Sequence, residues 1–420
     1  MINIGIIGLG TVGGGVYEII NKRLSEIELR VGSPLRIKKV CDLREEFAEE
    51  LNIPKGIFTT DYNEVVDDSD ISLVVMLTGN ADLDFTILKK CFEQGKHIVT
   101  ANKALMAKKW SEIFELCRRY KTLIYFEASV GSGIPVIQGI NEGLAANRID
   151  QIKGILNGTT NYILSKMEEE GTSLEDATAD AVKAGFAEVD SSADLKGWDA
   201  AHKLCILTNM VFPHPVKLED IYCEGIENIE LSDMDFALEM FGFSLKLLAV
   251  FKRKGDEAEV RVHPAFVPEE DMLAGVFDEN NGILVSGDSV KDVMFYGKGA
   301  GRFPAASAVV SDIIYLAQKI SYSIAGKIPY IHTDTSSNTR VIDMEELSFQ
   351  YYLRFMTEDK PGVLSKITGI LGAENISILS CFQKGRAEGG NIPIITLTHM
   401  ASVRAVRRAL KKIDALDTTG

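Results

Sequence analysis

Cysteine is scarce in this sequence, and the few cysteines show no regular spacing. The 420 residues include six cysteines, with no C-x-x-C pair among them. Regular pairs or clusters of cysteines are typical of disulfide frameworks and zinc sites. We therefore expect neither, and interpret the cysteines as reduced thiols, most of them buried.

Three other features are missing: a long apolar run, a basic leader and an excess of positive charge. No apolar run approaches the roughly 18–20 residues that span a bilayer, and the N-terminus MINIGIIGLG lacks the basic region of a signal peptide. The formal net charge is −15, whereas nucleic acids and anionic membranes are bound by clustered lysine and arginine. We therefore expect a cytoplasmic protein that binds neither; a small charged metabolite is not excluded.

The order of apolar segments predicts several domains of mixed α/β structure. Residues 1–130 alternate buried strands with amphipathic helices, which is typical of a Rossmann-type, doubly wound parallel sheet. Residues 131–299 combine helices with two predicted antiparallel hairpins, at 246–267 and 281–297, which indicates an α+β domain. Residues 349–420 follow the order strand, helix, strand, strand, helix, so a small third domain is expected there.

A glycine-rich turn joins the first predicted strand to the first helix. The sequence GLGTVGGG (8–15) places Gly8, Gly10 and Gly13 in a G-x-G-x-x-G pattern, with Thr11 and Val12 between the last two glycines. Glycines are needed there because a pyrophosphate must approach backbone amides at a helix N-terminus, where a Cβ would be in the way. In a strand–turn–helix setting the pattern predicts a dinucleotide site.

The residues near the expected adenosine ribose leave the choice of cofactor open. Asp42 ends the second strand, where an acidic residue suits the ribose 2′-hydroxyl of NAD, although it lies 29 residues after Gly13 rather than about 20. Arg44, Lys38 and Lys39 are close in sequence and could bind the 2′-phosphate of NADP. Both NAD and NADP are therefore candidates.

Residues 185–204, GFAEVDSSADLKGWDAAHKL, concentrate carboxylates and lysines in a short stretch. Asp199 and Lys203 are spaced i, i+4, so they lie about 40° apart on one face of a helix predicted over 195–210. Asp194 is expected to cap the start of that helix. By itself this arrangement is also typical of a capped surface helix with an exposed ion pair, worth at most about 0.5 kcal/mol.

Several long motifs occur in a fixed order along the chain. They are TANKALMA (100–107), FEASVGSGIP (126–135), GILNGTTNYIL (154–164), the stretch at 185–204 and GKGAGRFPAASAVVSD (297–312). Together they make nearly the whole chain resemble homoserine dehydrogenase. The resemblance implies NAD(P)-dependent, reversible interconversion of L-homoserine and L-aspartate 4-semialdehyde, on the route to threonine and methionine. It also implies that residues 131–299 form a catalytic and dimerisation domain, that about 300–340 return to the nucleotide-binding domain, and that the protein is a homodimer or a higher homo-oligomer.

The resemblance assigns roles to five charged residues. Lys203 matches the family's proton-donating lysine, and Glu188 matches a residue that binds homoserine. Asp194 and Asp199 match carboxylates that line the substrate pocket, and Lys103 matches a lysine beside the nicotinamide and the substrate. The chemistry fits, because carboxylates attract the ammonium group of an amino-acid substrate and a lysine can protonate the alkoxide left by hydride transfer. An active site is therefore favoured over a surface helix.

Further contacts with the cofactor are expected from position and from the resemblance. Thr78 and Gly79 close a predicted strand, and ligands bind outside the carboxyl ends of strands in such sheets. Gly301, in GKGAGRF, matches a cofactor contact of the family. Cys41 stands before Asp42 where some relatives carry an arginine that favours the phosphate, so we expect NAD to be accepted at least as well as NADP.

The loop ASVGSGIP (128–135) resembles the family segment whose backbone carbonyls hold a monovalent cation, sodium or potassium. Val130, Ser132 and Ile134 match the carbonyl positions. The alternative is a tight crossover between domains, where glycine is needed for its backbone angles.

Residues 351–380 resemble an ACT domain, a ferredoxin-like βαββαβ module that binds amino acids. In the family this module lets threonine inhibit the enzyme, and contacts with the effector are expected near Asp359, Gly362 and Asn375. The sequence ends where the fourth strand of the module is expected, so we expect a truncated module, or one completed by another chain. Threonine inhibition is accordingly expected to be weak or lost.

Two other functions compete with the dehydrogenase. One is a catalytically silent amino-acid sensor that keeps the nucleotide fold, although a sensor has no need of the proton-donating lysine at position 203. The other is a dehydrogenase of another small amino or hydroxy acid. A panel of substrates separates these functions.

Overall fold

Contacts divide the chain into two compact units, Met1–Val341 and Ile342–Gly420. The computed structural model of the protein describes residues 1–187, 190–336, 338–383 and 391–417.

A parallel sheet forms the first part of the N-terminal unit, as the sequence predicts. Its strands are β1 (Ile2–Ile7), β2 (Leu35–Cys41), β3 (Phe58–Thr59), β4 (Leu73–Met76), β5 (His97–Thr100) and β6 (Ile124–Tyr125), in the order β3-β2-β1-β4-β5-β6. β4 and β5 are buried along their whole length, which explains the continuous apolar sequence of β4 and the apolar centre of β5. The order reverses between β1 and β4, the point at which sheets of this kind bind ligands.

Helices connect these strands in the alternating pattern that the sequence predicts. They are α1 (Thr11–Lys22), α2 (Leu24–Val31), α3 (Glu45–Glu50), α4 (Asn63–Val66), α5 (Ala81–Glu93) and α6 (Lys103–Tyr120). Asn80 and Asn102 cap α5 and α6, since each side chain accepts a hydrogen bond from a backbone N–H in the first turn. The cap of α6 fixes the position of Lys103, its first residue.

A second, mixed sheet belongs to the same unit. Its strands are β7 (Ile149–Ile155), β8 (Tyr222–Cys223), β9 (Phe243–Lys254), β10 (Glu257–Pro268), β11 (Asn280–Gly287), β12 (Lys291–Lys298) and β13 (Arg340–Val341), in the order β12-β11-β7-β9-β10-β13 with β8 also on β10. β9–β10 and β11–β12 are the two predicted hairpins. The turn after Lys254 contains Gly255 at φ +66°, a conformation that glycine adopts readily.

Helices pack beside the mixed sheet and also return to the parallel one. They are α7 (Val136–Gln138), α8 (Gly158–Glu170), α9 (Leu174–Ala184), α10 (Ser192–Leu195), α11 (Trp198–Val211), α12 (Leu231–Phe241) and α13 (Arg302–Ser321). α13 packs against α1 so closely that a Cβ on Gly15 would lie 2.9 Å from Cβ of Ala306. Gln318 of the same helix donates to the carbonyl of Arg30 at 2.7 Å. α13 therefore covers a face of the parallel sheet.

The C-terminal unit follows the predicted strand–helix–strand–strand–helix order. Its elements are β14 (Ser348–Phe349), β15 (Tyr352–Glu358), α14 (Val363–Ala373), β16 (Ile378–Gln383), β17 (Asn391–Thr398), β18 (Ala401–Ser402) and α15 (Val403–Ile413). The main sheet is antiparallel in the order β15-β17-β16, and β14 pairs with β18. Among the described residues β15 has a strand partner on one side only, β17. No helix in the described part of the protein is long and apolar enough to cross a membrane.

Candidate active site

The glycine-rich turn has the geometry of a dinucleotide site. Gly8 follows β1 with φ +99°, and a Cβ on Gly13 would lie 1.9 Å from the Gly8 carbonyl oxygen, so these two glycines are required by the turn itself. A Cβ on Gly10 would approach only the Arg44 guanidinium, at 3.9 Å. Thr11 and Val12 begin α1, whose first amides have no partner within the helix and can bind a pyrophosphate.

Asp42 is buried, and its carboxylate braces this turn. Oδ2 accepts a hydrogen bond from Leu9 N at 2.6 Å, and Oδ1 accepts one from Arg44 N at 3.0 Å. The Arg44 side chain is 62% exposed, and its guanidinium carbon lies 4.0 Å from the Phe47 ring centroid. Asp42 therefore links β2 to the turn. The Arg44 guanidinium lies beside Asp42 and faces solvent.

The other two cations considered for the 2′-phosphate bind carboxylates on the protein surface. Lys38 Nζ lies 2.8 Å from both Asp68 and Asp70, and Lys39 pairs with Glu64. Of the three candidates, Arg44 is the one beside the glycine-rich turn.

Thr78 and Gly79 lie directly after β4, at the carboxyl edge of the sheet. The Thr78 hydroxyl donates to Asp84 Oδ1 at 2.6 Å, and Asn102 Nδ2 donates to Asp84 Oδ2 at 2.7 Å. Asp84 is fully buried, and burial raises the pKa of its carboxyl group. This network joins the ends of β4 and β5; the sequence gives no signal for it, because an aspartate one turn into a helix is usually a surface charge.

A carboxylate with two lysines forms the centre of the site. Asp199 Oδ2 lies 2.7 Å from Lys203 Nζ, and Asp199 Oδ1 lies 2.5 Å from Lys103 Nζ. Lys203 also donates to the Leu156 carbonyl at 2.6 Å. The side chains of Asp199 and Lys203 are 7% and 10% exposed, so the pair is buried. The alternative interpretation of an exposed ion pair on a surface helix is therefore wrong.

Asp194 joins the same centre, but not as a helix cap. Gly197 has φ +81° and separates α10, which contains Asp194, from α11. The cap of α11 is therefore Gly197, and the prediction of an Asp194 cap is wrong because the helix does not continue back to it. Instead, Asn157 Nδ2 donates to Asp194 Oδ1 at 2.7 Å and to Asp199 Oδ2 at 2.8 Å.

The buried charges shift one another's protonation. Burial lowers the pKa of Lys203, and the negative charge of Asp199 opposes that effect. Burial alone would raise the pKa of Asp199, but Lys203 and Lys103 outweigh it, and the pKa lies well below its usual range. Burial raises the pKa of Asp194, as does the charge of Asp199, while the hydrogen bond from Asn157 opposes both. Such opposed shifts within a few ångströms are typical of sites that move protons.

Glu188 lies outside the described residues. Two neighbours of the centre, Asn157 and Asn281, were not identified by sequence reasoning. Asn157 begins the NGTTNYIL motif, where a substrate loop and a well-satisfied turn are equally consistent with the sequence. Asn281 stands in β11 without any motif, is fully buried, and donates to the Leu156 carbonyl at 3.0 Å.

The loop that carries Val130, Ser132 and Ile134 is buried and tightly turned. Ser132 has φ +54°, and its hydroxyl has no hydrogen-bond partner among the described residues. Two buried carboxylates flank the loop: Glu127 accepts from two backbone amides, and Asp312 accepts from Glu127 N at 2.8 Å. No group of three or more histidine, cysteine, aspartate or glutamate side chains in the described ranges could hold a metal ion.

Gly301 starts α13 with φ +123°. A Cβ on Gly14 would lie 3.1 Å from the Arg302 guanidinium, so the start of α13 lies beside the glycine-rich turn. In the C-terminal unit, Asp359 and Gly362 lie between β15 and α14, and Asn375 follows α14 with φ +59°.

Comparison with known proteins identifies the family. Residues 8–127 match the family model described as homoserine dehydrogenase, NAD binding domain; residues 135–314 match the model described as homoserine dehydrogenase; and residues 351–418 match the ACT domain. Homoserine dehydrogenases of Neisseria gonorrhoeae and Helicobacter pylori are 40% and 39% identical to this chain, in both cases over 99% of this chain and 96% of the relative.

Solved structures agree with the sequence matches. A homoserine dehydrogenase from Thiobacillus denitrificans has a TM-score of 0.93 and 38% identity, covering 100% of this chain and 96% of that chain. A hyperthermophilic archaeal homoserine dehydrogenase in complex with NADPH has a TM-score of 0.64 and 26% identity, covering 77% of this chain and 98% of that chain. The chain therefore belongs to the homoserine dehydrogenase family of NAD(P)-dependent oxidoreductases.

Proposed function

We propose that the Asp199 centre is where this dehydrogenase interconverts L-homoserine and L-aspartate 4-semialdehyde, with Lys203 as the proton donor. The observation that carries the proposal is the buried Lys203 ammonium. Its acceptors among the described residues are Asp199 and the Leu156 carbonyl, and an ammonium group has three N–H donors. One N–H thus remains to reach a substrate oxygen.

The proton moves with the direction of the reaction. A nicotinamide cofactor held at the glycine-rich turn would supply the hydride when the aldehyde is reduced. Lys203 then transfers a proton from Nζ to the oxygen that becomes the homoserine hydroxyl. When homoserine is oxidised, neutral Lys203 takes that proton back. Asp199 stabilises the protonated form of Lys203 through its 2.7 Å ion pair. Burial lowers the pKa of Lys203, which makes the neutral form easier to reach.

Lys103 is proposed to orient the substrate rather than to carry the proton. Its side chain is 45% exposed while its ammonium contacts Asp199 at 2.5 Å, so it reaches the centre from the cofactor side of the site, at the carboxyl end of β5. Asp194 and Glu188 are proposed to receive the substrate ammonium, because carboxylates are its natural partners.

Lys203→Met tests the proton donor. We expect kcat to fall by about 10²-fold or more, the usual size of general acid–base effects, while cofactor affinity stays near wild type. Lys196→Met is the matched control, because Lys196 is an exposed lysine of the same stretch. A Lys203→Met enzyme that keeps more than half its activity would remove Lys203 from the mechanism.

We propose that the dinucleotide site accepts both NAD and NADP, with Arg44 binding the 2′-phosphate of NADP. Arg44 is exposed, lies over the Phe47 ring and is adjacent to the glycine-rich turn, where its Nε also pairs with Asp42 at 3.4 Å. Lys38 and Lys39 pair with carboxylates away from that turn. The archaeal relative whose structure contains NADPH is consistent with a family site that can hold the phosphate. Thr78, Gly79 and Gly301 would contact the rest of the cofactor.

A monovalent cation is proposed at the loop of Val130, Ser132 and Ile134. Backbone carbonyls would hold it, since the described residues offer no cluster of metal-ligating side chains. The buried carboxyl groups of Glu127 and Asp312 lie beside the loop, and burial raises the pKa of both. A cation held by the loop would favour their ionised forms, so the two groups are compatible with the proposal.

For the C-terminal unit we propose an amino-acid effector near Asp359, Gly362 and Asn375, with threonine as the first ligand to test. Asp359 and Asn375 are exposed and therefore accessible. We also propose that the protein is a homodimer, which light scattering at several protein concentrations would test.

A further inference from the structure

Asn157 contacts both carboxylates of the active site through one amide group. It follows β7, is 4% exposed, and caps α8 by accepting a hydrogen bond from Thr160 N at 2.7 Å through Oδ1. Its Nδ2 donates one hydrogen bond to Asp194 at 2.7 Å and one to Asp199 at 2.8 Å. The side chain therefore uses its acceptor for the helix and both its donors for the site.

An amide suits this position because two carboxylates that face each other repel. Asp199 is neutralised by two lysines, whereas Asp194 receives its side-chain hydrogen bond, among the described residues, from Asn157. A hydrogen bond to a charged acceptor contributes more than one between neutral groups, and more again where water is excluded. Asn157 thus favours the ionised form of Asp194 at a fixed distance from Asp199.

The backbone that carries Asn157 is itself held in place. The carbonyl of Leu156 accepts from Lys203 at 2.6 Å and from the fully buried Asn281 at 3.0 Å. Asn281 in turn packs against Gly299: a Cβ on Gly299 would lie 2.1 Å from Oδ1 of Asn281. Leu156 therefore contacts Lys203 through its backbone carbonyl, and the next residue, Asn157, contacts both carboxylates through its side-chain amide. The two adjacent residues thus connect the lysine to Asp194 and Asp199.

We propose that Asn157 is a positioning residue for the dehydrogenase reaction: it keeps Asp194 ionised and aligned with the Asp199–Lys203 pair, and so sets the lower pH limit of activity. The inference rests on the proposed roles of Asp194 and Lys203. Among the described residues, the charged or titratable groups that act on the two carboxylates are Lys103 from α6 and His202 and Lys203 from α11. None of these three is altered by a substitution at position 157.

The substitution Asn157→Asp separates the two functions of the side chain. Aspartate caps a helix as well as asparagine, so the bond from Thr160 N is retained. Both donors are lost, and a third carboxylate is added beside Asp194, which raises the pKa of Asp194. We expect kcat/KM for homoserine to fall by at least about tenfold, the usual effect of losing hydrogen bonds to charged groups. We also expect the acid limb of its pH profile to move to higher pH, and the thermal midpoint to fall because a third carboxylate is buried beside the other two.

Two other variants complete the test. Asn157→Ser keeps a capping oxygen without adding charge, and it decides the question by itself if Asn157→Asp does not fold: a lower kcat/KM with the acid limb at higher pH supports the proposal. Asn147→Asp is the matched control. Asn147 precedes β7, the strand that Asn157 follows, and its Nδ2 donates to a backbone carbonyl outside the site. We expect it to have the wild-type profile.

Wild-type kcat/KM and an unchanged acid limb in the folded position-157 variants would overturn the proposal and leave Asn157 as a helix cap. A fall in activity without a shift of the acid limb would also overturn it. Retained activity in Lys203→Met would instead remove the proposed role of the lysine, whatever the variants at position 157 do.

Discussion

Lys196 and Lys203 belong to the same stretch of sequence but have opposite surroundings. Lys196 is exposed, whereas Lys203 is buried and bonded to Asp199 and a backbone carbonyl. Spacing alone identifies the Asp199–Lys203 pair, because i, i+4 residues share a helix face. It does not reveal that the pair is buried, the observation on which the proposed role of Lys203 as proton donor rests.

Arg44 gives a residue-scale prediction about the cofactor. Arg44→Gln should raise KM for NADP by about tenfold or more, because a charge-assisted bond to the 2′-phosphate is lost, and should change KM for NAD little. Arg36→Gln, which removes an exposed arginine from β2, serves as the control. Equal losses with both cofactors would show that Arg44 supports the turn rather than the phosphate.

Residues that act through a second residue were beyond the reach of sequence reasoning. Asp84, Asn157 and Asn281 are buried polar groups, and each has a hydrogen-bond partner at least 18 positions away in the chain: Asn102, Asp199 and Leu156 respectively. No local pattern records such pairs, because they arise from the packing of separate elements. Glycines 8 and 13 were predictable because their constraint is local, a turn with positive φ and a close backbone approach.

At the scale of elements, long strands and hairpins follow from the sequence, while breaks and very short strands do not. β9 and β10 were predicted from their apolar runs and the glycine turn between them. The break between α10 and α11 was not predicted, because the positive φ of Gly197 is set by tertiary packing and not by the local sequence. β3, β8 and β13 have two residues each, too few for any periodic pattern.

The contact between β5 and the start of β6 depends on an uncharged histidine. His97 begins β5, is 9% exposed, and accepts a hydrogen bond from Leu123 N at 3.0 Å through Nδ1. Burial lowers the pKa of His97 from 6.5 to about 4. Below pH 6.5 the unfolded chain binds a proton that the folded chain does not, so the unfolding free energy falls as the pH drops from about 6.5 to about 4.

This site should therefore contribute on the order of 2–3 kcal/mol to acid destabilisation. His97→Asn keeps an acceptor but cannot titrate, so its unfolding midpoint in denaturant should fall less than that of wild type between pH 6.5 and 4. His332→Asn, at an exposed histidine of the same unit, is the control and should follow wild type. Parallel curves for wild type and His97→Asn would show that His97 does not cause the loss.

At the scale of the whole molecule, the proposed chemistry belongs to the first unit alone. The candidate catalytic residues precede residue 205, and β13 closes that unit at Val341. A chain cut after residue 345 should therefore keep kcat and KM for homoserine near those of the full chain. Loss of activity on cutting would mean that the ACT unit is needed for catalysis.

The same pair of chains tests regulation. We expect threonine to inhibit the full chain weakly or not at all, because β15 has a strand partner on one side only among the described residues and the unit has an open edge. Asp359→Asn alters the proposed effector site without shortening the chain. Comparing it with the cut chain separates loss of effector binding from other effects of the cut. Strong inhibition that the cut abolishes would contradict this expectation and assign regulation to the unit as it stands.

The return of α13 to the nucleotide-binding sheet has a consequence for synthesis on the ribosome. The sixth strand ends at Tyr125, yet the helix that covers α1 starts at Arg302, and the ring of Tyr125 stacks 3.8 Å from that of Tyr330. At about 5–20 residues per second, the nascent sheet waits on the order of 10–35 s for its missing cover. During that interval the apolar face beneath α13 is uncovered, so the first domain is completed only after most of the second sheet has been synthesised.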